Sequence, residues 1–192
     1  MMTRRGLFCL LRGAQPDRAS ASVEVARPRR VFPVHRPPGA VAEADFLDHC
    51  TRCGDCLKAC PHQAIVLAPA RLREAEGTPM IVAGDSPCQY CLDTPCASVC
   101  VPQVLRSDYP RKMGTAQVER MDCLAWQRSF CTVCEERCPV PGAVTLDLGK
   151  PGVDASACVG CGICVNVCPA PRRAIVLNPE MNRPAWKPPQ HE

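Results

Sequence analysis

The chain has 192 residues, enough for one or two small domains. It contains 17 cysteines and 21 prolines but only two tryptophans, two tyrosines and four phenylalanines, so metal or disulfides are expected to supplement a small hydrophobic core. The formal charge of +4 is mildly basic, yet no stretch is typical of a nucleic-acid-binding segment. No stretch approaches the roughly 20 apolar residues that a membrane span requires.

Residues 1–44 contain no cysteine motif and are rich in Arg, Pro, Ala and Ser, a composition that cannot form a core. We predict a basic N-terminal arm, either a disordered tail or a segment that docks on a partner or wraps the remaining chain. Arg4 and Arg5 resemble the start of a twin-arginine export signal. The apolar run at residues 6–11 is shorter than the roughly 7–15 residues of such signals, so we predict no export. Cys9 is expected to be a spare thiol.

From residue 45 onward the cysteines form four quartets. The first and fourth have the spacing Cys-x2-Cys-x2-Cys-x3-Cys-Pro. The second has Cys-x2-Cys-x4-Cys-x3-Cys, and the third has Cys-x7-Cys-x2-Cys-x3-Cys-Pro. The sixteen candidate metal ligands are Cys50, Cys53, Cys56, Cys60, Cys88, Cys91, Cys96, Cys100, Cys123, Cys131, Cys134, Cys138, Cys158, Cys161, Cys164 and Cys168.

This clustering favours metal over disulfides, because cysteines two residues apart rarely bond to each other outside redox motifs. In paired iron–sulfur clusters one tight loop supplies three thiolates, and the fourth cysteine, three residues on, binds the other cluster. Structural zinc is the alternative, since Cys-x2-Cys occurs in both kinds of site. Four unbroken quartets, three of which end in Cys-Pro, favour [4Fe–4S] clusters. Gly54, Gly160 and Gly162 are expected to bring backbone close to sulfide with a free φ angle.

The quartets predict four [4Fe–4S] clusters, or three if the long gap after Cys123 leaves the third site empty. Each cluster with its thiolates carries roughly −2, so the loaded protein would have a charge of about −4, from +4 plus −8. Matching motif types pairs the first quartet with the fourth and the second with the third, while a sequential pairing of the first with the second stays open. The predicted sites are Cys50, Cys53, Cys56 with Cys168; Cys158, Cys161, Cys164 with Cys60; Cys88, Cys91, Cys96 with Cys138; and Cys123, Cys131, Cys134 with Cys100.

A short apolar string recurs after three of the quartets. Residues 64–67 and 174–177 are identical, and residues 143–146 are similar. Each β-branched run after a Cys-Pro predicts a short strand. The repeating unit is then a cysteine loop, a helical turn carrying the last cysteine, and a strand, with Phe46 and Leu47 closing the front of the first unit.

The predicted fold class is α+β: tandem ferredoxin-like [4Fe–4S] modules with short strands, short helices and long loops. The four-motif domain is predicted to span residues 45–180, followed by an irregular tail at residues 181–192. No nucleophile–base pair, phosphate-binding glycine loop or dinucleotide fingerprint occurs, so we expect no substrate site and no enzymatic activity.

Four further side chains lie close to the cysteines in the sequence. His49 and His62 flank first-quartet cysteines and are expected to be solvated or hydrogen-bonded, because cysteines already fill the sites. Trp126 and Phe130, in the long gap of the third quartet, are expected to shield a cluster from water.

The motifs resemble a known family. Residues 46–56 closely resemble the first motif of NapF, a ferredoxin-type protein associated with periplasmic nitrate reductase, and residues 36–38 and 122–127 are also similar to it. Residues 87–96 look more like NapG and MauM, ferredoxin-type proteins that feed electrons at the membrane or periplasm and normally carry a full twin-arginine signal. The resemblance covers about residues 40–180.

The resemblance implies a cytoplasmic accessory protein that assists maturation of the periplasmic nitrate reductase catalytic subunit before its export. Supplying or keeping the iron–sulfur cluster of that subunit is part of this implication. The alternative is an electron-transfer subunit between a quinol-side donor and a reductase or dehydrogenase, periplasmic if the twin arginine is functional. Neither role needs nucleic acid or a membrane span.

Overall fold

The computed structural model describes residues 33–189. This part of the chain is α+β, as predicted, and consists of short elements joined by long loops. Its helices are α1 (Glu43–His49), α2 (Asp55–Ala59), α3 (Pro95–Ser98), α4 (Val133–Glu136), α5 (Ile163–Asn166) and a 3-10 segment at Ala70–Ala75. Its strands are β1 (Ile65–Leu67), β2 (Pro79–Ile81), β3 (Gly114–Val118), β4 (Val144–Asp147), β5 (Lys150–Val153) and β6 (Ile175–Pro179). No helix within residues 33–189 is long and apolar enough to cross a membrane.

The strands pair as antiparallel two-stranded sheets, β1 with β2, β3 with β6, and β4 with β5. The three strands predicted from the repeated apolar string are confirmed as β1, β4 and β6. In β1 and β6 the leading isoleucines, Ile65 and Ile175, are buried, while Val66 and Val176 are exposed. This alternation places one face of each sheet on the core.

The helical turns carry the third cysteine of each quartet, which corrects the prediction that they carry the fourth. Cys56 lies within α2, and Cys60 is the C-cap residue, with extended backbone angles. The third cysteines of the other quartets likewise lie in α3, α4 and α5 and are buried. The helix begins directly after the cysteine loop, so its single turn is complete before the fourth cysteine is reached.

Helix packing divides the cysteines into two halves. Helix α2 packs against α3, and α4 packs against α5. The first half therefore combines the first and second quartets, and the second half combines the third and fourth. The halves are joined by backbone hydrogen bonds from Cys88 N to the Cys161 oxygen at 3.1 Å and from Met113 N to the Val159 oxygen at 2.8 Å.

The predicted glycines all have positive φ, +79° at Gly54, +71° at Gly160 and +85° at Gly162. A Cβ at Gly160 would collide with the backbone of Gly114, and one at Gly162 would collide with Ala83. Gly54 has open space instead. At Gly160 and Gly162, glycine is required both by the positive φ and by the close approach of another chain segment.

Residues 34–41 are buried, so the packed domain begins before the predicted boundary at residue 45. Arg36 has no exposed side-chain surface and pairs with Glu43. It also donates to Thr78 Oγ1 and to the Pro79 oxygen, both at 2.7 Å, and its guanidinium lies 4.3 Å from the centre of the Phe46 ring. Such partners offset the cost of burying its charge. The predicted arm residues 1–32, with Arg4, Arg5 and Cys9, lie outside the described residues.

His35 lies in the same buried segment, beside the second half. Its Nε2 is 2.8 Å from the Gly160 oxygen. Burial lowers the pKa of His35 to about 4, against a partial opposing effect of that hydrogen bond. The ring is therefore neutral at neutral pH, and Nε2–H donates to Gly160 in the loop between Cys158 and Cys161.

Candidate metal centres

Four cavities are each lined by four cysteines. We name them by the quartet that supplies three of these residues. The cysteines are Cys50, Cys53, Cys56 and Cys100 in site one; Cys60, Cys88, Cys91 and Cys96 in site two; Cys123, Cys131, Cys134 and Cys168 in site three; and Cys138, Cys158, Cys161 and Cys164 in site four.

The predicted pairing of the first quartet with the fourth, and of the second with the third, is wrong. The fourth cysteine does cross to another site, but Cys60 and Cys100 exchange between sites one and two, while Cys138 and Cys168 exchange between sites three and four. The reason is the packing of α2 on α3 and of α4 on α5. This packing places each fourth cysteine beside the other quartet of its own half. This is the sequential pairing that the sequence left open.

The long gap of the third quartet folds locally and returns Cys123 to its site. Gln127 N donates to the Cys123 oxygen and Ser129 N to the Leu124 oxygen, each at 3.0 Å. Cys123 is 8% exposed and lines the same cavity as Cys131. Site three therefore has four cysteines, as the other three sites do.

The buried thiols oppose one another's ionisation. Burial raises the pKa of Cys56, Cys96 and Cys164 to about 12, and that of Cys88 and Cys134 to about 11. Neighbouring thiolates contribute to these raised pKa values; for Cys56 the neighbours are the other three cysteines of site one. A cationic iron core would reverse this balance, so its binding releases protons and weakens as the pH falls.

Backbone N–H groups point at three of the fourth cysteines. Ala64 N lies 3.4 Å from Cys60 Sγ, and Ala174 N lies 3.4 Å from Cys168 Sγ. Leu105 N makes the equivalent contact with Cys100 Sγ at 3.4 Å. Such donors favour the thiolate and tune the potential of a bound cluster. The cysteine spacing does not predict these donors, although Ala64 and Ala174 open the identical strings at 64–67 and 174–177.

The donor set fits an iron–sulfur cluster. All sixteen cysteines in the described part of the chain are free of disulfides. No three His, Cys, Asp or Glu side chains among residues 33–189 converge closely enough to hold a single metal ion. Each of the four sites is instead a cavity lined by four cysteines, which suits a multi-iron core ligated by four thiolates.

The two histidines beside the first quartet lie in different environments. His49 stacks on Trp186, with ring centroids 3.7 Å apart and an interplanar angle of 16°. His62 is exposed at the edge of site two. Neither replaces a cysteine in the quartets.

The two aromatic residues of the third quartet differ from each other. Trp126 packs beside Cys123 and Cys131, and its ring is covered by Arg120 at 4.3 Å and Lys150 at 4.9 Å. Trp126 does not itself line site three, but it packs against the buried cluster that includes Cys123. Phe130 is 93% exposed and does not line site three, so the expectation that it shields a cluster is wrong.

Comparison with known proteins agrees with this arrangement. Residues 49–104 match the 4Fe-4S dicluster domain, and residues 150–175 match a 4Fe-4S binding domain. The first match includes the whole of quartets one and two, as expected if they form a pair.

Three curated relatives are informative. The chain is 40% identical to the ferredoxin-type protein NapG of Escherichia coli over 161 residues, 75% of this chain and 70% of that protein. It is 39% identical over 158 residues to the methylamine utilization ferredoxin-type protein MauM of Methylorubrum extorquens, 75% and 72% of the two chains. The ferredoxin-type protein NapF of Escherichia coli is 30% identical over 158 residues, 80% of this chain and 91% of NapF. The free, clustered cysteines and these relationships show that the chain belongs to the iron–sulfur ferredoxin-type family that includes NapG, MauM and NapF.

Proposed function

We propose that this chain is an electron-transfer protein with four [4Fe–4S] clusters, held by the sixteen cysteines of sites one to four in two tandem ferredoxin-like modules. The observation that carries the proposal is the enclosure of four separate all-sulfur quartets within one small domain. A bound [4Fe–4S] cluster supplies reversible one-electron chemistry. The chain's own residues bury the thiols, direct backbone N–H groups at them and hold the two modules together.

The position of the modules supports an electron-transfer role. Cys88 of site two donates its backbone N–H to the carbonyl oxygen of Cys161 in site four. Sites two and four therefore meet at the junction, and each module also holds a second site. Such an arrangement offers a partner at either module its own redox site.

Metal and sulfide analysis tests the cluster content. The anaerobically purified chain is expected to contain about sixteen iron and about sixteen acid-labile sulfide per chain, and to bleach on reduction. About twelve iron would mean that one site is empty. Site three, whose ligand Cys123 is followed by the long loop, would be the first site to examine. Zinc without acid-labile sulfide would contradict the proposal as a whole.

For the physiological role we propose that electrons pass between a quinol-side donor and a reductase or dehydrogenase. The similarity to NapG and MauM, at 40% and 39% identity, supports this role. Enzymatic activity is not part of the proposal. The test is anaerobic reduction of the loaded chain by membranes supplied with quinol, followed by oxidation on adding the terminal enzyme; a chain that stays oxidised would contradict the role.

A second candidate is an accessory role in the cytoplasm, assisting maturation of the periplasmic nitrate reductase catalytic subunit before export. The match to NapF favours it, because it covers 91% of that protein. Here the chain should co-purify with the unexported catalytic subunit and not with the exported form. Recovery of neither form, together with rapid equilibration with quinol, would favour the electron-transfer role.

A further inference from the structure

A tryptophan near the C terminus bridges the two chain segments that form site one. The Trp186 ring stacks on His49, which directly precedes Cys50, with centroids 3.7 Å apart. Its Nε1–H donates to the Pro102 oxygen at 2.8 Å, two residues beyond Cys100. Like Cys50 and Cys100, the ring packs against the buried core cluster that contains Cys56.

Several polar contacts fix this tryptophan. We call residues 180–189, which form neither helix nor strand, the C-terminal strap. Trp186 N donates to Asp45 Oδ2 at 2.7 Å, and Ala42 N donates to the Pro184 oxygen at 2.7 Å. Tyr109 Oη donates to the Ala185 oxygen at 2.9 Å. The strap is therefore attached to α1 and to the chain after Cys100 by directional bonds on both sides of the ring.

Site one is also the site that water reaches most readily through its own ligands. Among the sixteen cysteines of the described chain, Cys53 is the exposed one, and Cys50 and Cys100 are half-buried. The Trp186 ring joins His49 and Pro102, which lie close to these two half-buried cysteines in the chain, although it does not itself line the cavity.

We propose that Trp186 is a positioning residue for site one: it clamps the Cys50 and Cys100 segments together and excludes water from their flank. The strap thereby sets how fast site one loses iron. This inference rests on the proposed cluster binding. The contribution of the ring is packing against both segments, and that of the indole N–H is the bond to Pro102.

The test compares iron release from the full-length, loaded protein and its Trp186→Ala variant. Iron is withdrawn anaerobically by a chelator, and exposed thiols are alkylated at intervals and located by peptide mass spectrometry. In Trp186→Ala we expect labelling of Cys50, Cys53, Cys56 and Cys100 to accelerate about tenfold, as for other residues that support metal ligands. The twelve cysteines of sites two, three and four should be labelled at the wild-type rate.

Two further variants make the result specific. Trp186→Phe keeps an aromatic ring on His49 and should restore most of the slow release, because packing carries most of the effect. Trp126→Ala removes the tryptophan beside site three and should leave the labelling of site one unchanged. Equal acceleration at all four sites would indicate general destabilisation and overturn the inference, as would an unchanged rate at site one. Absence of iron and sulfide from the wild-type chain would instead refute the proposed function.

Discussion

Replacing Cys100 by serine is expected to empty site one and leave site three loaded. Cys100 belongs to the second quartet in sequence, yet it lines the cavity of Cys50, Cys53 and Cys56. Serine cannot supply a soft thiolate to iron. The iron content should fall from about sixteen to about twelve per chain. Alkylation of the purified variant should then label Cys50, Cys53 and Cys56.

The matched control is Cys168→Ser in the other module. Cys168 lines site three, so this variant should lose the same amount of iron while unmasking Cys123, Cys131 and Cys134. Both variants keep the twelve cysteines of the three other sites, which should preserve the fold. If Cys100→Ser unmasked Cys123 and its neighbours, the motif-matching pairing would be right and the arrangement of sites described above would be wrong.

The sequence predicted the local features of each site but could not determine their partners. The cysteine spacing fixes tight loops, and the strings at 64–67, 143–146 and 174–177 predict β1, β4 and β6, because these depend on neighbouring residues. The destination of Cys60 depends on the packing of α2 against α3, which lie far apart in the chain. Motif similarity carries no information about that contact, and therefore the similarity of the first and fourth quartets was misleading.

Composition was also a poor guide to where the packed domain begins. Arginine and proline usually indicate a solvated segment, and on that basis residues 34–41 were assigned to the arm. In the structure Arg36 is enclosed, because Glu43 balances its charge and Thr78 and Pro79 accept its hydrogen bonds. Arg183 reaches the same carboxylate from the other end of the chain. Pairing over that separation has no local sequence signal.

Glu43→Gln is expected to destabilise the whole first module through these buried charges. Glu43 accepts hydrogen bonds from Arg36 Nε at 3.1 and 3.0 Å, and Arg183 Nη1 lies 3.3 Å from its Oε2. The side chains of Arg36, Arg183 and Glu43 are 0%, 5% and 9% exposed. Glutamine would leave two buried guanidinium groups without a counter-charge, at a cost of roughly 3–5 kcal/mol in the free energy of unfolding.

The measurement is anaerobic urea unfolding of the loaded protein, followed by circular dichroism. Asp108→Asn is the control, since the carboxylate of Asp108 also pairs with an arginine, Arg106, but is 61% exposed. Solvent screens such a pair, so its loss should leave the urea midpoint close to wild type. Burial lowers the pKa of Arg183 while Glu43 opposes that shift, so the variant removes the carboxylate that favours the charged guanidinium in the interior. A midpoint for Glu43→Gln as close to wild type as that of Asp108→Asn would contradict this prediction. It would show that water or another acid compensates the two arginines, and that Glu43 does not hold residues 34–41 and the C-terminal strap in place.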